Sequence, residues 1–329
     1  MRNIKELLFL ARDYYRYLRG KDYFRQPQPL GAHFRDDRCY YNDLTGKAAW
    51  DGTYIDGVPA LRVATNGSDA VLPVTVLLYG LGSMDRYFLE DRREFIDNVR
   101  NAAAWMIANV LPEGHYNNHL KESTDQDEFY SSNSAMTQGL ALSFAVRTVT
   151  HELVDQQTAD ELRGLIRTLV GNMLLPVARR GTALHEGDDL FLMEFCRKDH
   201  TIVLNGWIFA LFGLIDYTGF CHDEQAEAGL KTSLSTMAKV LPEYQLPNGW
   251  SYYDNAGRIC SPFYHNLHIA LLDAMHRLTG EPVFAQCRDV SRQANRRWNR
   301  VVYTVNKIKD KLLDRDVYTS QGRRGRKET

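Results

Sequence analysis

Cysteine is sparse and unpatterned: Cys39, Cys196, Cys221, Cys260 and Cys287 are an odd number, with no Cys-x-x-Cys pair and no close cluster. That spacing offers no zinc set, and reduced thiols are the simplest account, so a cytoplasmic protein without bound metal is expected. An excess of charge of one sign is also missing. A net charge of −1 argues against a nucleic-acid binder, and any anionic ligand must be met by local charge. The basic residues Arg323, Arg324, Arg326 and Lys327 gather at the end, which reads as a solvated, disordered tail over residues 314–329. A signal-peptide apolar region is absent as well. Residues 1–20 instead place Ile4, Leu7, Leu8, Ala11, Tyr14, Tyr15 and Leu18 at helical spacing, an amphipathic helix expected to pack on the protein itself. The one glycine-rich candidate, GLGSMD from Gly80, lacks a third glycine and a preceding strand, so no dinucleotide or other cofactor is expected.

What is present is ordinary in amount, with 44% apolar and 25% charged residues, as in a soluble globular protein. Its arrangement is not ordinary. Residues 202–215 are a run of fourteen without a charge, too short for the roughly 18 residues of a membrane span. A helix that is apolar all round is buried on every side. It therefore reads as the inner helix of a helical toroid, with the acidic Glu194 at its mouth and no membrane span.

From residue 72 a rhythm begins in which a glycine-containing, weakly charged helix precedes a strongly amphipathic one. The pairs are residues 73–90 with 92–111, 132–153 with 158–175, 202–217 with 223–241, and 262–278 with 283–312. Four units at similar spacing amount to an architectural repeat. Pro73 and Pro262 suit a first helical turn, where the missing N–H has no partner anyway. Gly80, Gly82, Gly139, Gly206 and Gly213 cost about 1 kcal/mol each against alanine inside a helix, which close backbone packing would justify. The expected fold is all-α dominated, an α/α toroid of helical hairpins over residues 70–313 with short β-hairpins on the rim, at residues 182–195 and 249–255. Residues 1–69 would pack on it, with short strands at residues 38–41 and 61–64.

The rim chemistry concentrates in residues 247–268, PNGWSYYDNAGRICSPFYHNLH, which holds Tyr252, Tyr253, Tyr264, Arg258, His265 and His268. Rings stack on sugar faces while arginine pairs with a carboxylate, so the set suits an anionic sugar. The same tyrosines and histidines also suit packing and core hydrogen bonds. His265 and His268 stand at metal-ligand spacing, but no third ligand is close in sequence.

Residues 193–216 (MEFCRKDHTIVLNGWIFALFGLID), residues 134–147 (SAMTQGLALSFAVR) and the PNGWSYYD and FYHNLHIALL segments resemble the C-terminal catalytic domain of D-glucuronyl C5-epimerases. The similarity covers roughly residues 66–298. It implies inversion of C5 of D-glucuronic acid within a glycan or heparan-type polysaccharide to L-iduronic acid, without a redox cofactor. Residue by residue, it matches Glu194, Tyr253 with Asp254, and Tyr264 with His265 to the family's motif residues, and gives Arg258 the carboxylate-binding role by analogy. Glu194, Tyr264 and Tyr253 are therefore expected to be catalytic, and Arg258, His265, His268, Asn205, Gln138 and Tyr252 to bind substrate. The family's tyrosine after the glutamate is Phe195 here. The implied partner is a uronic-acid-containing glycan, and a homodimer is left open. A uronate lyase shares the first proton abstraction, a glycoside hydrolase would pair Glu194 with Asp188, Asp189 or Asp254, and a glycan-binding module would use the aromatic rim without Glu194.

Overall fold

The computed structural model describes residues 22–62, 68–118 and 130–312. The amphipathic helix expected over residues 1–20 and the basic tail over residues 314–329 lie outside the described residues. Four helical hairpins follow one another: α1 (Pro73–Glu90) with α2 (Glu94–Asn109), α3 (Ala135–Thr150) with α4 (Gln156–Leu174), α5 (Leu204–Phe220) with α6 (Glu224–Val240), and α7 (Pro262–Thr279) with α8 (Pro282–Ala294). Within each pair the two helices pack on one another. Across pairs α1 touches α3, α3 touches α5, and α5 touches α7. The first helices therefore form the inner wall and the second helices sheathe it, which is the α/α toroid.

The inner wall is apolar because it has no solvent side. Every residue from Ile202 to Leu214 is buried, and Ile215 is half-buried. The tightest contact is between α3 and α5. A Cβ on Gly139 would overlap the Phe209 carbonyl, and one on Gly213 would overlap Gly139 itself. Two glycines therefore let two helix backbones touch. Gly139→Val should cost on the order of 3 kcal/mol in urea unfolding, the upper range for overpacking a filled core. Gly219→Ala, also in α5 but with open space at its Cβ, should be near neutral, and equal losses would refute the close-packing account.

Short strands sit where connections turn. β1 (Tyr54–Ile55) pairs with β2 (Val58–Pro59), β3 (Leu61–Arg62) with β4 (Asp69–Ala70), and β5 (Ala183–Glu186) with β6 (Asp189–Leu192), all antiparallel. The last of these is the expected rim hairpin before α5. No strand forms at residues 38–41. There the backbone is satisfied by side chains of the inner helices instead: Tyr40 N–H donates to Asp85 Oδ1 at 2.7 Å, and the Cys39 carbonyl accepts from Arg147 Nη1 at 2.6 Å. Tyr41 Oη–H donates to Asp216 Oδ1 at 2.7 Å, and Arg147 binds the same carboxylate at 2.9 Å. One short segment is thus fastened to α1, α3 and α5 in their C-terminal halves.

The fourth outer helix also departs from expectation. A single helix over residues 283–312 is replaced by α8 and a separate α9 (Arg297–Leu312). Asn295 breaks the ladder with non-helical ψ of 47°. Its Nδ2 donates to Asn266 Oδ1 at 2.6 Å, and Asn299 Nδ2 covers the Ala294 carbonyl at 2.8 Å. Asparagine side chains that compete for local backbone partners end helices in this way.

Candidate active site on the rim

The loops before α5 and α7 place the site. Met193, just after β6, is pinned from both sides: its N–H donates to Thr182 O at 3.0 Å and its carbonyl accepts from Ala135 N at 2.8 Å. Glu194 follows in the bend and lies against the first turn of α5. A Cβ on Gly206 would overlap the Glu194 carboxyl, so only glycine leaves room for it there.

Residues 250–259 cross to the same place. The Tyr253 carbonyl accepts from Leu204 N at 3.1 Å, satisfying one of the orphan donors of the first turn of α5. Asn255 adds a reciprocal pair, with its Oδ1 accepting from Ile202 N at 2.8 Å and its N–H donating to Ile202 O at 3.2 Å. Tyr252 bridges Ile259, so the expected hairpin at residues 249–255 is a wider loop closed by isolated bridges. Tyr264 stands in the first turn of α7, fixed by Pro262 at the first helical position and Ser261 as N-cap.

These loops bring Glu194, Tyr253, Tyr264 and Arg258 together. The Tyr253 and Tyr264 rings meet edge to face with centroids 4.8 Å apart, and the Arg258 guanidinium lies 5.3 Å from the Tyr253 ring centre. Glu194 Oε2 is enclosed and has no hydrogen-bond partner among the described residues. Burial pushes its carboxyl up to about 8; Arg258 and Arg197 pull it down and Asp254 pushes it further up. Burial and the Glu194 charge push the Tyr264 phenol up to about 12, against a hydrogen bond from Tyr253 and the charge of Arg25. Burial, then Glu194 and Tyr264, raise Tyr253 well above the usual phenol range. Two phenols that keep their protons thus lie beside a carboxyl group that burial holds up to about 8, a set able to take a proton at one point and give one at another.

Other expected residues take different places. His265 is fully buried and stacked on Trp250, with centroids 3.8 Å apart. Its Nδ1 accepts from Ser251 N at 3.2 Å, and Nε2–H donates to Ser291 O at 3.0 Å. Both nitrogens are used in holding the rim loop to α8, so His265 fastens the loop here. Burial drops it to about 4, which keeps it neutral. Gln138 is engaged at one end: Nε2 donates to Gly114 O at 3.0 Å and Asn172 Oδ1 at 2.9 Å, so its amide nitrogen ties α3 to α4, while Oε1 is enclosed without a partner among the described residues. His268 is buried and dropped to about 3 by burial; its Nδ1 lies 3.7 Å from Cys260 Sγ, and Nε2 has no partner among the described residues. Asn205 stands next to Gly206 with its Oδ1 enclosed, and Tyr252 is half-buried on the loop. No three potential metal ligands gather among the described residues.

Arg258 is itself ion-paired with the fully buried Asp254 carboxylate, whose Oδ1 also accepts from Ala256 N at 3.1 Å and Arg258 N at 3.2 Å. Asp254 therefore fixes the arginine over Tyr253. Two further cations act on the site. Arg197, 6% exposed and 5.4 Å from the Phe195 ring, acts on Glu194, and Arg25 acts on Tyr264. Arg197 was within reach of sequence reasoning, three residues after Glu194 in one polar stretch. Nothing in the sequence near Arg25 pointed to the site.

No curated protein matches the chain. Among solved structures, it is similar to UGL with dGlcA-Glc-Rha-Glc, at 13% identity over 67% of this chain and 60% of that one, with a TM-score of 0.44. It is also similar to a mutant of a family 10 polysaccharide lyase from Cellvibrio cellulosa in complex with trigalacturonic acid, at 12% identity over 63% and 66%, with a TM-score of 0.37. The chain thus spans less than two thirds of either relative. The sequence is decisive where these distant structures are not: residues 116–293, more than half of the chain and including Glu194, Tyr253, Arg258 and Tyr264, match the family described as D-glucuronyl C5-epimerase C-terminus, and the chain belongs to that family.

Proposed function

We propose that the protein is an isomerase that inverts C5 of D-glucuronic acid residues in a glycan to L-iduronic acid by two-base proton transfer. The observation that carries this reading is the Glu194 carboxyl, one oxygen of which is enclosed without a partner among the described residues, raised to about 8 and electrically coupled to Tyr264 on the neighbouring inner helix. Family membership supports the reaction class.

Inversion breaks the C5–H bond on one face and leaves its electron pair delocalised into the adjoining C6 carboxylate, as an enolate-like dianion. A proton then reaches C5 from the opposite face. Glu194 as carboxylate and Tyr264 as phenol are the two groups, and in the reverse direction they exchange roles. The arginines around Glu194 supply positive charge where the dianion develops. Arg258 is shared with Asp254, which holds it in place at the cost of part of its charge. Tyr253 keeps Tyr264 in position through their hydrogen bond.

The test is incubation in heavy water with a glycan containing glucuronic acid. The expected products carry deuterium at C5 and include iduronic acid, with the chain intact. Ultraviolet-absorbing unsaturated ends would make the enzyme a lyase, since elimination follows the same proton abstraction. Chain cleavage without exchange would make it a hydrolase, and no exchange on any uronate glycan would remove the epimerase reading.

A further inference from the structure

We propose that α9 is a membrane-surface helix whose exposed apolar stripe and net positive charge dock it on a bilayer containing anionic lipid. The proposal is independent of the reaction at the rim.

Three large apolar side chains of α9 stand in water: Trp298 is 74% exposed, Val301 54% and Val305 55%. Their spacing of three and four places them on one helical face, and the sequence continues it with Ile308 and Leu312. The opposite side of the helix is fixed. Tyr303 is buried, its ring stacks on Trp250 with centroids 4.4 Å apart, and its hydroxyl accepts from Asn248 Nδ2 at 2.7 Å. The helix is therefore attached by one face and presents the other.

Charge decides what covers that other face. Arg296, Arg297 and Arg300 are exposed, and the sequence of the helix adds Lys307, Lys309 and Lys311 against one acid, Asp310, so the helix as a whole is basic. A second copy docking through the same stripe would bring two sets of cations together, which like-charge repulsion opposes. A polyanionic sugar chain would satisfy the cations but leave the valines in water. An anionic bilayer surface satisfies both, because the apolar stripe enters the boundary between headgroups and acyl chains while the arginines and lysines stay among the headgroups. With 16 residues, α9 would lie on the bilayer without crossing it, and no helix among the described residues is long and apolar enough to cross a membrane.

Flotation of the full chain with vesicles tests this. It should bind vesicles of phosphatidylcholine and phosphatidylserine at roughly 3:1 and not vesicles of phosphatidylcholine alone. Binding should fall as added salt shortens the Debye length from about 10 Å to about 3 Å. Trp298→Ser with Val305→Ser should weaken it at least about tenfold, and so should Arg297→Glu with Arg300→Glu. Circular dichroism and the urea midpoint should not move, since these side chains face water. Absence of flotation by the unaltered protein, equal flotation with neutral vesicles, or undiminished flotation of either variant would overturn the proposal. If sedimentation velocity shows a dimer that the Trp298→Ser, Val305→Ser protein loses, the stripe belongs to a second copy and the proposal falls.

Discussion

Glu194→Gln should lower C5 inversion by on the order of 10² or more, the usual range for removing a general acid or base, and should erase the rising limb of the pH profile. The sign follows from counting protons. Both directions of the reaction require one proton shared between Glu194 and Tyr264, either carboxylate with phenol or carboxylic acid with phenolate. The free enzyme reaches that count when Glu194 ionises, at about 8, and leaves it only when Tyr264 also ionises, at about 12. kcat/KM should therefore rise through about pH 8 and then stay level over the range in which the protein is folded. Tyr264→Phe should lose inversion by a similar factor, yet can still exchange the C5 proton with heavy water, because Glu194 returns deuterium to its own face. An unchanged pH profile in the Glu194→Gln protein would show that another group sets the limb. The same substitution has an opposite effect on stability. A carboxyl whose pKa is raised on folding contributes stability that is full below about 4.5 and is lost as pH rises through about 8. Glutamine has no such loss, so the variant should gain in urea midpoint over the parent as the pH is raised across that window.

Arg147→Met should destabilise the protein by about 3–5 kcal/mol, the range for removing one partner of a buried ion pair. Arg147 and Asp216 side chains are only 5% and 9% exposed, so the carboxylate left behind cannot turn to water. Arg147 also supports the Cys39 carbonyl and lies over the Tyr40 and Tyr41 rings, 5.3 and 4.7 Å from their centres. The double change Arg147→Met with Asp216→Leu should recover part of the loss, because replacing both members removes the stranded charge. Tyr41, which donates to Asp216, would keep the recovery incomplete. Urea unfolding measures all three. A single-variant loss below about 1 kcal/mol, no more than a common surface change, would mean that the pair adds nothing to the floor of the toroid.

The inner wall was legible because burial on all sides forces an uncharged run, and residues 202–215 have no other use for one. The close approach of α3 and α5 was legible for the same kind of reason, since glycine in a helix interior demands a neighbour. At the rim, a stretch of sequence could gather tyrosines, an arginine and histidines but could not say which of them pack. His265 and Tyr264 are adjacent in sequence and a helical turn sends them different ways, one into Trp250 and Ser291, the other toward Glu194. Gln138 was expected to bind substrate and lies in the SAMTQG segment that carries the resemblance, and its partners Gly114 and Asn172 are distant in sequence. The break at Asn295 was hidden because the apolar period runs straight through it. Arg25 stayed hidden for a simpler reason, since no local pattern records which loop closes over a distant helix start.

The fastening of residues 38–41 bears on the order in which the chain takes shape. Tyr41 and Asp216 lie 175 positions apart, and Arg147 and Cys39 lie 108 apart. Contacts of such span close large loops and form late. On a ribosome, Tyr40 can meet Asp85 as soon as α1 is made, but Tyr41 must wait for Asp216 until α5 has been synthesised. At roughly 5–20 residues per second that delay is on the order of ten seconds or more. During that interval the Tyr41 hydroxyl and the site of the Asp216 carboxylate are without each other, so this corner of the wall closes last.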